Sequence, residues 1–309
     1  MIPAGLPRIE VTEVGPRDGL QNERQVVPTE AKAAFVRALV AAGLRDIEVS
    51  SFVRPDRIPQ LADAGELFRL LGPAPAGVCY GALVPNERGL EGALAAGVQK
   101  VSVFTAASET FNQRNVNASV AESLARFQPV ARGAKAAGRL LRGYVSTAVA
   151  CPYEGPVAPA AVLEVVLRLL ELGCDEVSVG DTIGAGTPGE VGRLLDALLA
   201  RVPAARLVMH FHDTRGMAVA NVLASLERGI VRFDASAGGL GGCPYAPGAA
   251  GNLATDDLVF LLDGLGLAHG IDRARLHAAG EVVAAALGRA LPSRVRAAPA
   301  LPGARGTAR

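Results

Sequence analysis

Short β-branched apolar runs alternate with Ala- and Leu-rich stretches along nearly the whole chain, about eight times over. That is the pattern of parallel strands joined by helical crossovers. The runs are Arg8 to Val14, Asp46 to Ser50, Gly77 to Val84, Lys100 to Thr105, Leu140 to Ser146, Glu176 to Gly180, Arg206 to His212 and Arg232 to Ala235. Between the first two, Pro28-Thr29-Glu30 opens a helix, Phe35, Leu39 and Ala42 recur at helical spacing, and Gly43 can end it left-handed. Further helices are expected over Asn86 to Ala96, Ser119 to Ala137, Pro159 to Leu172, Pro188 to Arg201, Met217 to Arg228 and Thr255 to Leu265. Gly97, Gly138, Gly173 and Gly229 close several of them before the next strand. About eight such cycles predict a closed (β/α)8 TIM barrel of the α/β class. A doubly wound dinucleotide-binding sheet would need Gly-x-Gly-x-x-Gly after its first strand, and Glu13-Val14-Gly15-Pro16-Arg17-Asp18-Gly19 does not supply it.

A length of 309 residues suits one such barrel, and a chain that is 50% hydrophobic without Trp predicts a core of Ala, Val, Leu and Ile. The expected unit is a single catalytic domain over residues 1–296, with an extra C-terminal helix near Arg273 to Leu291 packed across the barrel's side or end. Residues 297–309, rich in Ala, Pro, Gly and Arg, have little to bury and are expected to form a flexible tail. The net charge of +1 comes from 31 basic and 30 acidic residues intermixed, which argues against a nucleic-acid partner. No apolar run reaches the ~18 residues that span a bilayer, and Met1 to Pro7 lacks the features of a signal peptide. A cytoplasmic protein with no membrane association is expected. Cys79, Cys151, Cys174 and Cys243 form no Cys-x-x-Cys pair, so reduced thiols are expected in place of a disulfide or zinc scaffold.

In a barrel of this kind the reactive groups sit on the loops after the strands, and the polar clusters fall there. Arg17 and Asp18 follow the first strand, Glu48 and Ser51 the second, Ser108 and Glu109 the fourth, and Tyr144, Cys151 and Tyr153 lie along and after the fifth. Asp181 and Thr182 follow the sixth, His210, His212 and Asp213 the seventh, and Cys243 and Asn252 the eighth. In His210-Phe211-His212 two histidines at alternate strand positions point the same way and can grip one metal ion. The competing reading is two buried imidazoles bonded to backbone carbonyls. Asp18 and Asn252 in matching loops favour the metal: two imidazoles, a carboxylate and an amide oxygen suit a catalytic Mg²⁺ or Mn²⁺ with coordination places left open. Asp18 would hold that metal or take a proton, and the permanently charged Arg17 would stabilise an oxyanion. Cys243, in a segment rich in glycine hinges, would carry a thiol on a loop able to close over the site. His269 and His277 fall outside this set and are expected at the surface.

These motifs resemble those of the 3-hydroxy-3-methylglutaryl-CoA lyases, members of a wider group of barrel metallolyases. The likeness rests on Glu13-Val14-Gly15-Pro16-Arg17-Asp18-Gly19-Leu20-Gln21-Asn22-Glu23, Ile47-Glu48 with Ser50-Ser51-Phe52-Val53, and Arg142-Gly143-Tyr144-Val145-Ser146. It extends to Gly180-Asp181-Thr182-Ile183-Gly184, and to Gly239-Leu240-Gly241-Gly242-Cys243-Pro244-Tyr245 followed by Gly251-Asn252-Leu253-Ala254-Thr255. The resemblance spans roughly Ile9 to Leu291. It implies metal ligation by Asp18, His210, His212 and Asn252, Arg17 as the enolate-stabilising cation, Cys243 as an acid, and Glu48 and Asp181 as supporting carboxylates. Gln21, Ser51, Tyr144 and Thr182 are the implied substrate contacts.

The implied reaction is a metal-assisted retro-Claisen cleavage of an acyl-CoA substrate into acetoacetate and acetyl-CoA, with Asp18 or His210 as the base. A homodimer is implied as well. One departure from the family pattern is Thr214-Arg215-Gly216-Met217, where an aromatic or small polar residue before the glycine, and often Gln after it, is usual. The alternatives are a lyase for a larger 3-hydroxy-3-acylglutaryl-CoA, and a Claisen-condensing acyltransferase of the isopropylmalate or homocitrate synthase type. The latter would carry Gly-Glu-Arg in place of Gly242-Cys243-Pro244, with further C-terminal domains.

Overall fold

The computed structural model describes residues 1–242 and 251–299, and eight parallel strands within them close into a barrel. In chain order these are β1 (Glu10–Glu13), β2 (Asp46–Ser51), β3 (Cys79–Leu83), β4 (Lys100–Ala106), β5 (Leu140–Ser146), β6 (Glu176–Asp181), β7 (Leu207–Phe211) and β8 (Arg232–Ala235). Each pairs with its sequence neighbours, and β1 closes on β8 through Glu10 to Glu13 opposite Arg232 to Ala235. The expected (β/α)8 barrel is therefore the observed fold. The first strand is shorter than expected because the Ile9 N–H leaves the ladder and donates to Ala268 O at 2.8 Å.

The crossovers include α1 (Thr29–Ala41), α2 (Ala64–Leu71), α3 (Glu87–Ala95), α4 (Glu109–Val116), α5 (Val120–Ala136), α6 (Pro159–Glu171), α7 (Pro188–Leu199), α8 (Ala218–Leu226) and α9 (Thr255–Gly264). Helices α2 and α4 were not expected, since eight residues hold barely two turns and show little periodicity. Ser108, read as a loop residue, caps α4 by accepting the Phe111 N–H at 3.1 Å. The extra helix α10 (Arg273–Leu287) packs on α1, and a short α11 (Arg294–Ala297) follows.

The alternation within each strand separates two environments. Ile47, Val49, Val101, Val103, Leu141, Val177, Val179, Met209 and Phe233 are buried in the aliphatic core, as the composition predicted. The residues between them, among them Thr12, Arg142, Glu176, Ser178, His210 and Asp234, bond to one another across the barrel lumen. Aliphatic layers are the usual filling of such barrels; here the filling is polar and charged, which the composition did not foretell.

Candidate active site

At the carboxyl end of the barrel, Gly15–Gly19 forms a single π-helical turn directly after β1. The N–H groups of Arg17, Asp18 and Gly19 all converge on Val14 O at 2.8–3.2 Å, so two adjacent charged side chains are presented together. Turns of this wide type concentrate at functional sites. Glu13 anchors the turn from beneath: it accepts Gly15 N at 2.9 Å, Ala237 N at 2.8 Å and the Thr255 hydroxyl at 2.7 Å. Burial pushes its carboxyl up to about 7 in spite of these three donors.

Arg17 donates from Nε to Glu48 Oε2 at 2.5 Å and from Nη1 to Asp18 Oδ1 at 2.6 Å. Its guanidinium carbon lies 5.4 Å from the Tyr144 ring centre. Burial alone would make the cation easier to deprotonate, but the Glu48 and Asp18 charges outweigh it and hold Arg17 protonated. Asp18 also accepts from Gln21 Nε2 at 3.0 Å and Asn252 Nδ2 at 2.9 Å. Burial would raise its carboxyl, yet Arg17, His210 and His212 together bring it below the ordinary carboxylate range.

Asn252 arrives from far along the chain by an identifiable route. The segment carrying it runs antiparallel to the end of β7, with Asp213 N to Gly251 O at 2.9 Å and Leu253 N to Phe211 O at 2.8 Å, which puts it opposite His212. Gly251 and Gly241 permit this crossing: a Cβ on Gly251 would stand 2.2 Å from Gly241 O, and Gly241 itself has φ of +123°.

His210 and His212, two apart at the end of β7, have ring centres 5.2 Å apart. His210 Nδ1 pairs with Asp234 Oδ2 at 3.1 Å, while His212 Nδ1 is buried without a partner. Burial and then the neighbouring His210 charge push His212 down to about 4, so it is a neutral imidazole with a lone pair to donate at physiological pH. For His210, burial acts against protonation but the Asp234 and Asp18 carboxylates outweigh it and raise its pKa.

Asp18, His210 and His212 each offer one ligand atom within 4.8 Å of the others, a group able to hold a metal ion. The amide oxygen of Asn252 is also buried and unpartnered, because its nitrogen serves Asp18 and Leu240 O. Two imidazoles, one carboxylate and one amide oxygen are a mixed N/O donor set for a divalent ion. The expected clustering of these groups with Arg17, Gln21, Glu48 and Tyr144 is thus present. The Tyr144 hydroxyl is buried without a partner, and burial raises its pKa strongly.

Other expected site residues have local duties. Ser51 Oγ donates to Leu83 O at 3.2 Å, and Thr182 Oγ1 accepts Thr147 N at 2.8 Å. Both Asp181 oxygens accept backbone donors, Ala185 N at 3.0 Å and Gly186 N at 2.9 Å, which shapes the loop after β6; burial nevertheless raises its pKa. Arg215, at the departure from the family pattern, clamps that same loop through Ile183 O and Gly184 O, each at 3.0 Å. Cys243 lies outside the described residues.

Cys151 accepts from Ser108 Oγ at 3.0 Å. His277 is exposed as expected, but His269 is not: its ring is mostly covered and held between Asp263 and Ile271 N. Asp234 was missed altogether. Its only signal was an acid inside the strand run Arg232 to Ala235.

The HMGL-like family profile matches residues 8–283. The chain belongs to the HMGL-like family. It is 51% identical over 286 residues to the hydroxymethylglutaryl-CoA lyase of Pseudomonas mevalonii, covering 93% of this chain and 95% of that one. The crystal structure of hydroxymethylglutaryl-CoA lyase from Pseudomonas aeruginosa superposes with a TM-score of 0.92 at 49% identity, over 94% of this chain and 97% of that one. An HMG-CoA lyase from Acinetobacter baumannii, solved with coenzyme A and 3-methylmalate, gives 0.90 at 36% identity, over 96% and 97%.

Proposed function

We propose that this HMGL-like chain cleaves 3-hydroxy-3-methylglutaryl-CoA to acetoacetate and acetyl-CoA. The observation that carries the reading is the convergence of Asp18, His210, His212 and Asn252 beside the buried Arg17–Glu48 pair, in a chain about half identical to lyases of that name. Those four residues would hold a divalent ion, Mg²⁺ or Mn²⁺. Such an ion would lower the pKa of a hydroxyl bound to it, so that the proton can leave at neutral pH.

In the reaction the tertiary hydroxyl loses its proton and its oxygen becomes the acetoacetate ketone. The bond to the thioester's α-carbon breaks, its electron pair forms the acetyl-CoA enolate, and a proton added at that carbon completes acetyl-CoA. Asp18 takes the hydroxyl proton, since His210, with Nδ1 on Asp234 and Nε2 toward the metal, keeps no free lone pair. Arg17, fixed by Glu48 before substrate arrives, presents a preorganised cation to the enolate oxygen. Cys243 is assigned the protonation of the enolate carbon, and Glu48 and Asp181 are assigned as supporting carboxylates. Gln21, Ser51, Tyr144 and Thr182 are assigned to substrate contact; the unpartnered Tyr144 hydroxyl supports that role.

The functional unit is assigned to residues 1–296; of the expected tail, Ala297 closes α11 and residues 300–309 lie outside the described residues. A cytoplasmic homodimer is the proposed state. Among the described residues no helix is long and apolar enough to cross a membrane, and the exposed Leu223, Phe260 and Leu265 on and beside α8 and α9 support self-association. The test is acetyl-CoA and acetoacetate release by the full chain with Mg²⁺, with Mn²⁺ and after chelation. Metal-dependent release of both products is expected. No release despite metal binding would overturn the assignment and direct the assay to longer 3-hydroxy-3-acylglutaryl-CoA substrates.

A further inference from the structure

Beneath the two histidines, Asp234 on β8 is completely enclosed and receives three donors from three different strands. Arg142 Nη2 bonds its Oδ1, while Oδ2 takes Ser178 Oγ at 2.8 Å and faces His210 Nδ1 at 3.1 Å. Arg142 cannot turn away, because its other terminal nitrogen is held by Thr12 Oγ1 at 3.0 Å and Glu176 Oε1 at 3.1 Å. Arg142 also lies 4.8 Å from the centre of the Tyr144 ring, which meets His210 edge to face. Each oxygen of Asp234 is therefore assigned by geometry, one to the guanidinium and one to the imidazole.

A carboxylate oxygen can only accept, so the nitrogen facing it must carry the proton. In neutral His210 this puts hydrogen on Nδ1 and leaves the Nε2 lone pair free on the opposite edge of the ring. We propose that Asp234, held by Arg142, is a positioning residue that selects the His210 tautomer able to bind metal through Nε2. Histidines that bind metal commonly need a partner of this kind on the second nitrogen. The inference rests on the metal reading above and adds to it a residue that makes no contact with substrate.

The sharpest test is Asp234→Asn. Arg142 fixes the amide oxygen at the Oδ1 position, so the amide NH₂ falls where Oδ2 was and must donate to His210 Nδ1. That moves the ring proton to Nε2 and blocks the metal side, while shape and volume are preserved. Two readouts on the full chain decide the matter. Long-range ¹⁵N–¹H NMR of the metal-stripped protein at about pH 8 reports the tautomer, and only four histidines need assignment. Titration with Mn²⁺ alone reports affinity.

The expected result is Nδ1–H at His210 in the wild type, Nε2–H in Asp234→Asn, and Mn²⁺ binding weakened by about 10- to 100-fold in the variant. An Nε2–H tautomer in the wild type, or unchanged Mn²⁺ affinity in the variant, would overturn the proposal. If the variant does not fold, the wild-type tautomer alone decides. Neither readout needs turnover, so a failure of the lyase reading shows separately, as a chain that binds Mn²⁺ and releases no acetyl-CoA.

Discussion

The lumen of this barrel contains two polar regions built on opposite terms. Lower down, Lys100 bridges Asp46 and Glu176, Arg142 bridges Glu176 and Asp234, and Arg232 reaches Glu176, so every charge meets one of opposite sign. At the carboxyl end, Glu48 Oε1, His212 Nδ1, Asn252 Oδ1 and the Tyr144 hydroxyl are buried with no partner. The lower layer has its own loose ends at Asp46 Oδ1 and Arg142 Nε, but its charges are neutralised within the protein. The upper layer keeps electron-pair donors idle, which costs stability in the isolated fold and is recovered only when something binds them. One layer holds the strands in register and the other waits for a ligand; His210 and Asp234 are the joint between them.

Removing one charge from the lower layer has the largest expected effect on the fold. Lys100→Met leaves Asp46 and Glu176 short of a buried cation and should cost about 3–5 kcal/mol in denaturant unfolding. The surviving folded fraction should keep its turnover within about threefold; a large fall in kcat without loss of stability would erase the distinction between the layers.

His212→Ala attacks the upper layer and should do the reverse. Since His212 Nδ1 has no partner to lose, the metal-free melting midpoint should move little beyond the packing of one ring. Mn²⁺ affinity should fall by at least about 100-fold, the upper end of what losing an outer partner costs. A variant that melted far lower yet bound Mn²⁺ normally would make His212 a structural residue.

Acid sharpens the contrast more gently. Burial alone would raise the Glu176 carboxyl, but Arg142, Lys100 and Arg232 together lower it from 4.5 to about 2. A depressed carboxylate contributes stability that is complete above its unfolded value and is lost as pH falls through the folded one. Unfolding free energy should thus decline between about pH 4.5 and 2, and Glu176→Gln should flatten that limb. An identical acid limb in the variant would show that other carboxylates govern it.

The smallest effect is expected at Arg215→Ala. It removes two hydrogen bonds to the loop after β6 at an exposed position and should cost less than about 1 kcal/mol. A cost of several kcal/mol would place that loop among the elements that hold the barrel together.

Much of this was legible in order along the chain. The eight strand runs and most crossovers could be read because apolar periodicity is a local signal. The site was legible wherever its residues stand at or just past a strand end, as Arg17, Asp18, His210 and His212 do, since parallel strands deliver their ends to one face; Glu48, expected after the second strand, lies inside β2 and joins the site through Arg17. Asp181 and Ser51 stand at strand ends too, yet their described bonds go to nearby backbone; position alone does not reveal how a side chain spends its hydrogen bonds. Asp234 stayed hidden for the opposite reason. It looks like one acid in a short strand, and its partners Arg142, Ser178 and His210 are 24 to 92 residues away.

What the sequence by itself determined was the number of strands, their parallel sense and the face on which the chemistry gathers, because each follows from local pattern and chain connectivity. Only the tertiary structure decided that the lumen is filled by neutralised charge, that Asn252 meets His212 across an antiparallel crossing, and which nitrogen of His210 is left to bind. Those depend on distances between residues far apart in the chain, and hydrogen bonds and ion pairs are set by such distances to within a few tenths of an ångström.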